Sequence, residues 1–235
     1  MRDLNFPQGV GLNTAEDRQQ LAEQLAGQVA EWLREALASK DRALLVVSGG
    51  RTPVAFFEAL SKEQLPWSRV DITLADERWV NEDDPASNAA LVRKHLVSNF
   101  ASDANFIPLK TPEQAPESAI EALDSELRNL SWPIDVLILG MGNDGHTASL
   151  FPGTSGLANA MTTDRKCAVV TPLDAPHDRM TLAYPVLSAA RHTVLHITGE
   201  DKSATMTKVL ADLNAVEKMP VRGFIGSGLE IYWSL

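Results

Sequence analysis

Apolar residues along this chain fall into two kinds of run that alternate. Leu21, Leu25, Val29, Trp32, Ala36 and Leu37 recur at helical spacing and predict an amphipathic helix lying on a sheet face. Thr14, with Asp17 three positions on, has the form of a capping box at its start. Residues 43–47 are then unbrokenly apolar, as in a strand buried on both faces. Thr52 as N-cap and Pro53 at the first helical position predict a helix through Val54, Phe57 and Leu60. Val70, Ile72 and Leu74 make the next strand, and Ser87 caps a helix carrying Leu91, His95 and Leu96. Thr111 and Pro112 start another, with Ile120, Leu123 and Leu127 on its apolar side. Val136, Leu137, Ile138 and Leu139 form a second buried strand, after which residues 167–170, 180–184 and 193–197 read as strands and 199–210 as a helix. Residues 229–233 read as a last edge strand. Strand and helix alternating in this way predict one α/β domain over residues 1–235, three layers thick, with a mostly parallel sheet.

Composition narrows the function classes. A formal charge of -10 argues against a nucleic-acid or anionic-membrane surface, both of which need clustered Lys and Arg. The single cysteine, Cys167, has apolar neighbours and reads as a buried strand residue. With no apolar leader after Met1 and no run of membrane-spanning length, a cytoplasmic protein is expected.

Chemistry concentrates where strands end. After Leu139 come three glycines in six residues, Gly140, Gly142 and Gly145, with Asp144 among them and His146 directly after. Their letters match a dinucleotide fingerprint, but Pro152 and Gly153 leave no room for the long helix that would hold a pyrophosphate. In open α/β sheets ligands bind at the carboxyl ends of the strands, so Asp144 and His146 belong there. Ser48-Gly49-Gly50-Arg51-Thr52-Pro53 joins a strand to a helix start and aims free backbone N–H groups at one spot. It lacks the Gly-Lys-Ser/Thr of a nucleotide loop, so a monophosphate fits it better than ATP. Asp76-Glu77-Arg78 should share the same edge, and Arg179 and Lys202 are candidate cations for a local positive field. His192 and His196 have the spacing of a helical zinc pair, but on a strand they stand roughly 13 Å apart, so no metal is expected.

These segments, with Asp76-Glu77-Arg78-Trp79-Val80, Ser87-Asn88, residues 140–152, Arg179-Met180-Thr181-Leu182 and Gly199-x-x-Lys202, resemble the 6-phosphogluconolactonase family in the same order along nearly the whole chain. The resemblance implies a Rossmann-like sheet of the sugar-phosphate isomerase/lactonase type. It also implies a hydrolase without cofactor, acting on a phosphosugar lactone, 6-phospho-D-glucono-1,5-lactone. On that footing His146 would be the general base, Asp144 its orienting partner, and Arg78 the group facing the oxyanion or ring substituents. Asp76 and Glu77 would position Arg78 or sugar hydroxyls, while Gly49, Gly50, Arg51, Thr52, Arg179 and Lys202 would hold the phosphate. Two alternatives stand beside it, a glucosamine-6-phosphate deaminase/isomerase of the same superfamily and a non-catalytic phosphosugar-binding regulator. Those deaminases carry a catalytic glutamate five residues after the histidine and a tyrosine after the acid pair, where this chain has Phe151 and Arg78.

Overall fold

The computed structural model describes residues 1–235. In chain order it runs β1 (Gly11–Thr14), α1 (Arg18–Ser39), β2 (Ala43–Val47), α2 (Val54–Leu60), β3 (Val70–Leu74) and β4 (Asp76–Arg78). Then come α3 (Asn88–His95), β5 (Asn105–Ile107), α4 (Pro116–Leu127), β6 (Val136–Leu139), α5 (Ser155–Thr162) and β7 (Cys167–Val170). The chain ends with β8 (Arg179–Leu182), α6 (Tyr184–Leu187), β9 (His192–Thr198), α7 (Glu200–Leu210) and β10 (Leu229–Ser234). A seven-stranded sheet has the order β1-β10-β9-β6-β2-β3-β5, and every pairing in it is parallel. Helices flank it, and the expected α/β architecture is the one found.

The central strands are buried on both faces, which is why they read as solid apolar runs: β2, β3 and β6 have no exposed residue. Such a run carries no alternation to set its register. A polar clamp does so at the amino end of β6. Asp135, 1% exposed, accepts the Leu44 N–H at 2.7 Å, and its own N–H donates to the Leu44 carbonyl at 2.9 Å. Lys40 Nζ lies 2.6 Å from the same carboxylate and Arg191 Nε 3.7 Å.

Several expectations are corrected. Asp17, not Thr14, caps α1, its carboxylate accepting the Gln20 N–H at 2.8 Å; Thr14 ends a strand that the capping pattern hid. That strand, β1, is the sheet edge, so β10 lies inside the sheet, between β1 and β9. The helix foreseen from Thr111 begins at Pro116, where a proline at the first position and Glu117 after it satisfy the same rule. Residues 111–114 instead form a loop held by Lys110, which donates to the Thr111 and Glu113 carbonyls. Thr52 does not cap α2; the helix starts at Val54 after Pro53 without a side-chain cap. The 180–184 strand stops at Leu182, and Tyr184 opens a short helix. The largest difference is a second sheet: β4, β8 and β7 form three antiparallel strands outside the parallel one. It hangs from the carboxyl end of β3, where the Ala75 carbonyl accepts the Leu182 N–H at 2.8 Å.

Removing the clamp should weaken the sheet without touching its other end. Asp135→Ala leaves the Leu44 N–H unpaired and Lys40 with only the Ser131 carbonyl as partner, and urea unfolding should show a loss of about 3 kcal/mol. A loss below about 1 kcal/mol would place the pair with ordinary surface bridges.

Candidate functional site

Strand order reverses between β2 and β6. From β2 the chain moves outward through β3 to β5, and from β6 it moves the other way through β9 to β10. Loops leaving two such neighbours diverge and open a crevice at their carboxyl ends. The crevice is a cleft of about 230 Å³, lined by residues 48–53, Asp76, Arg78, Asn88, residues 138–142, His146, Thr147, Ala148, His196, Ile197 and Lys202. Of the residues singled out in the sequence, Gly49, Gly50, Arg51, Thr52, Asp76, Arg78, His146 and Lys202 therefore meet in one place.

The glycine loop after β6 is shaped to present the histidine. Gly142 N–H donates to the His146 carbonyl at 2.9 Å, Gly145 N–H donates to the Gly142 carbonyl at 3.0 Å, and Thr147 Oγ1 donates to the Gly140 carbonyl at 2.7 Å. A Cβ at position 142 would collide with the His146 ring and the Asp144 carboxylate, so only glycine lets the loop fold beneath them. Asp144 Oδ1 lies 2.6 Å from His146 Nδ1 and accepts the His146 backbone N–H at 3.1 Å. Burial alone would raise the Asp144 pKa, but the imidazole and that N–H outweigh it and hold the carboxyl below its ordinary value. An ionised Asp144 places the ring proton on Nδ1 and leaves Nε2 with a free lone pair. The ring packs on Phe151 with centroids 4.3 Å apart.

The acidic pair splits into two different environments, because alternate residues of β4 face opposite ways. Asp76 faces the cleft and accepts from Ser149 Oγ at 2.5 Å. Glu77 is fully buried and does not line the cleft. Its carboxylate accepts the Arg78 and Asn88 N–H groups at 2.8 Å each, the Ala89 N–H at 2.7 Å and Ser87 Oγ at 3.2 Å. It thus satisfies the open N–H groups of α3, and burial, offset by those bonds and reinforced by Asp76, still raises its pKa. Arg78 donates through one nitrogen to the Ala86 carbonyl at 2.6 Å, which fixes its guanidinium beside the cleft.

Arg179 is not a wall residue. It is 5% exposed and donates to the Pro176 and His177 carbonyls at 2.7 and 3.1 Å, paired in register with Arg78. Lys202, in the first turn of α7, reaches Asn143 Oδ1, and Asp201 Oδ2 lies 3.5 Å away. Asn88, Ser149 and His196 are site residues without a role assigned from the sequence, where Asn88 and Ser149 stand only within the motifs that carry the resemblance and His196 only as half of a zinc-spaced pair. Asn88 could have been suspected, because a Cβ on Gly49 would strike its side chain. His192 stacks on Trp32 at 4.5 Å, and no group of three or more His, Cys, Asp or Glu stands at metal-binding spacing.

Fold and site together define a three-layer α/β protein whose ligand cleft lies at the switch point of its sheet. The chain belongs to the glucosamine-6-phosphate isomerases/6-phosphogluconolactonase family, whose model matches residues 16–233. A 6-phosphogluconolactonase of Pseudomonas aeruginosa is 49% identical over 233 residues, 98% of each chain. Another, from Pseudomonas putida, is 40% identical over 98% of this chain and 96% of its own. The crystal structure of a 6-phosphogluconolactonase from Shewanella baltica has a TM-score of 0.94 at 39% identity, over 98% of this chain and 100% of that one.

Burial of His196 makes stability depend on pH. Its folded pKa is depressed from 6.5 to about 4, so between these values the unfolded chain binds more protons. The stability it contributes is complete above pH 6.5 and is lost as pH falls toward 4, on the order of 3 kcal/mol in all. Urea unfolding of wild type and His196→Phe across that window should show a shallower slope in the variant; parallel slopes would refute the shift.

Proposed function

We propose that this chain hydrolyses 6-phospho-D-glucono-1,5-lactone to 6-phospho-D-gluconate, with His146 as general base. The observation that carries the reading is the His146–Asp144 pair at 2.6 Å, with His146 lining the cleft that also holds the 48–53 turn. A lactone carbonyl is already electrophilic, so its hydrolysis needs a positioned water, a base and a group to hold the oxyanion. Water attacks the ring carbonyl carbon as Nε2 takes its proton. The imidazolium formed is stabilised by ionised Asp144. The tetrahedral oxyanion then collapses, the bond from the carbonyl carbon to the ring oxygen breaks, and that oxygen recovers the proton from Nε2 as a hydroxyl. Arg78 is the cation placed to face the oxyanion or ring substituents, with Asp76 beside it for a sugar hydroxyl.

The phosphate belongs at the 48–53 turn. Thr52 has its hydroxyl free of any capping bond, Gly49 and Gly50 present backbone, and Arg51 and Lys202 bring charge to a protein that is acidic overall. Charge-assisted bonds of roughly 1.5 to 3 kcal/mol each make such an anchor dominant in binding. Glu77 and Arg179 act from behind, through α3 and the 176–178 turn, rather than on the ligand.

The deaminase reading lacks its acid. The position five residues after His146 holds Phe151, packed against the ring, so no carboxylate is available there for the extra proton transfers of ring opening and deamination. Glucosamine 6-phosphate should therefore release no ammonia.

Freshly made lactone, followed by coupling to 6-phosphogluconate dehydrogenase and corrected for spontaneous hydrolysis, should turn over rapidly with the wild-type protein. His146→Ala should lower kcat by about 10² to 10⁴; near-normal turnover would remove the histidine from the mechanism. Asp144→Asn permits the other tautomer and should lower kcat by about 10² or more with KM little changed. A pure KM effect would instead make Asp144 a binding group.

A further inference from the structure

His196 has no structural partner to explain it. The other histidine of β9, His192, stacks on Trp32, and His95 on α3 has its Nδ1 2.9 Å from Glu58 Oε1. His196 Nδ1 is sealed from solvent with no hydrogen-bond partner, in a residue only 4% exposed. The residue nevertheless lines the cleft. It sits one position past the Leu139–Leu195 pair, beside Gly140, and a Cβ on Gly140 would meet nothing within 4 Å. The space next to the imidazole is open cleft. On its other side Phe56, in the first turn of α2, meets the ring edge-on with centroids 6.0 Å apart. The ring therefore lies beneath the turn that leads into α2.

The tautomer follows from the burial. An unpaired buried N–H is rarer than an unpaired acceptor, so the proton belongs on Nε2 and the bare lone pair on the sealed Nδ1. A second polar atom of this cleft, Ser48 Oγ at the base of the same turn, is likewise buried and unpartnered. The other ring nitrogen of His196, Nε2, also makes no hydrogen bond within the protein but is not sealed, so it is the atom through which His196 meets the cleft.

We infer that His196 is a specificity residue for the phosphate end of the ligand, its Nε2–H donating to an oxygen of a phosphate monoester held by the 48–53 turn. The inference rests on the phosphosugar reading above and adds to it a donor outside the turn and outside the cation set. Because burial brings the His196 pKa down to about 4, the ring serves as a neutral donor at ordinary pH. A neutral donor contributes geometry without a charge that would have to be desolvated in the free protein.

The test compares wild type, His196→Phe and His196→Gln. Phenylalanine keeps the ring volume against Phe56 and removes the donor; glutamine restores an N–H near the Nε2 position. With 6-phosphogluconate as the calorimetric probe, His196→Phe should bind about tenfold more weakly and His196→Gln should recover most of the loss. On the phosphorylated lactone KM should rise about tenfold in His196→Phe while kcat holds, a larger loss of kcat/KM than the same variant shows on plain gluconolactone. Unchanged affinity in His196→Phe, or an equal loss on both lactones, would overturn the inference. If wild type itself fails to prefer the phosphorylated lactone, the functional reading falls first, which separates the two failures. Should the variants not fold, ¹⁵N shifts of the wild-type imidazole decide. Nε2–H should move on saturation with 6-phosphogluconate and stay put with gluconate; a resonance indifferent to both overturns the assignment.

Discussion

The structure depends on β2 and β6 lying side by side in one particular register. Both strands are apolar on both faces, and slipping one past the other by two residues would bury as much surface as before. Asp135 removes that freedom by exchanging two hydrogen bonds with Leu44, and its 1% exposure forbids water as a substitute partner. With Val47 level with Ile138, β6 runs only one residue past the end of β2, and the Ser48 turn and the Gly140 loop leave at nearly the same height. A cleft between the His146–Asp144 pair and the 48–53 turn is the geometric result. The clamp lies at the amino end of the sheet and the chemistry at the carboxyl end, so the requirement for order and the requirement for reactivity fall on different residues.

A second polar framework ties the loops around that cleft to one another. Glu77 joins β4 to the start of α3, Asp76 joins β4 to Ser149 beyond the glycine loop, and Asn88 Nδ2 donates to the Asp76 carbonyl at 2.9 Å. Three segments far apart in sequence thus share buried bonds, each of which leaves an unsatisfied group if its partner is removed. The adjacent acids divide the work. One carboxylate is saturated by backbone N–H groups and acts as part of the scaffold, and the other keeps access to the ligand.

Much of this could be read along the chain, for identifiable reasons. Apolar runs such as Ala43–Val47 and Val136–Leu139 announced the central strands, because burial on both faces demands them. Glycines at 49 and 142 marked places where a side chain would strike a functional neighbour. The antiparallel sheet was not legible, since β4 is only Asp-Glu-Arg and its pairing with β8 is set by tertiary contact rather than by alternation. β1 and β5 escaped for a related reason: edge strands of three or four residues carry too little pattern. At the site, Glu77 reads in sequence as positioning Arg78 or a sugar hydroxyl and Arg179 as a phosphate ligand; that both are buried against backbone partners shows only in the structure. His196 stood out only through its spacing from His192, because a histidine within a buried strand looks the same in sequence whether or not its ring finds a partner.

The environment of His146 narrows what the cleft can do. The proposed base needs a fixed tautomer and a single open nitrogen, and the contact of Asp144 with Nδ1 suits both requirements. The Phe151 face, 4.3 Å from the imidazole, adds no proton donor and screens one side of the ring from water. Amino-sugar isomerisation would require further acids to protonate a ring oxygen and then an amine. Of the carboxylates near the histidine, Asp144 is engaged by the histidine itself, while Asp76 accepts from Ser149. On the proposed reading, then, the contact between Phe151 and the imidazole favours hydrolysis over deamination, because it leaves fewer proton-transfer groups to stand around the substrate at once.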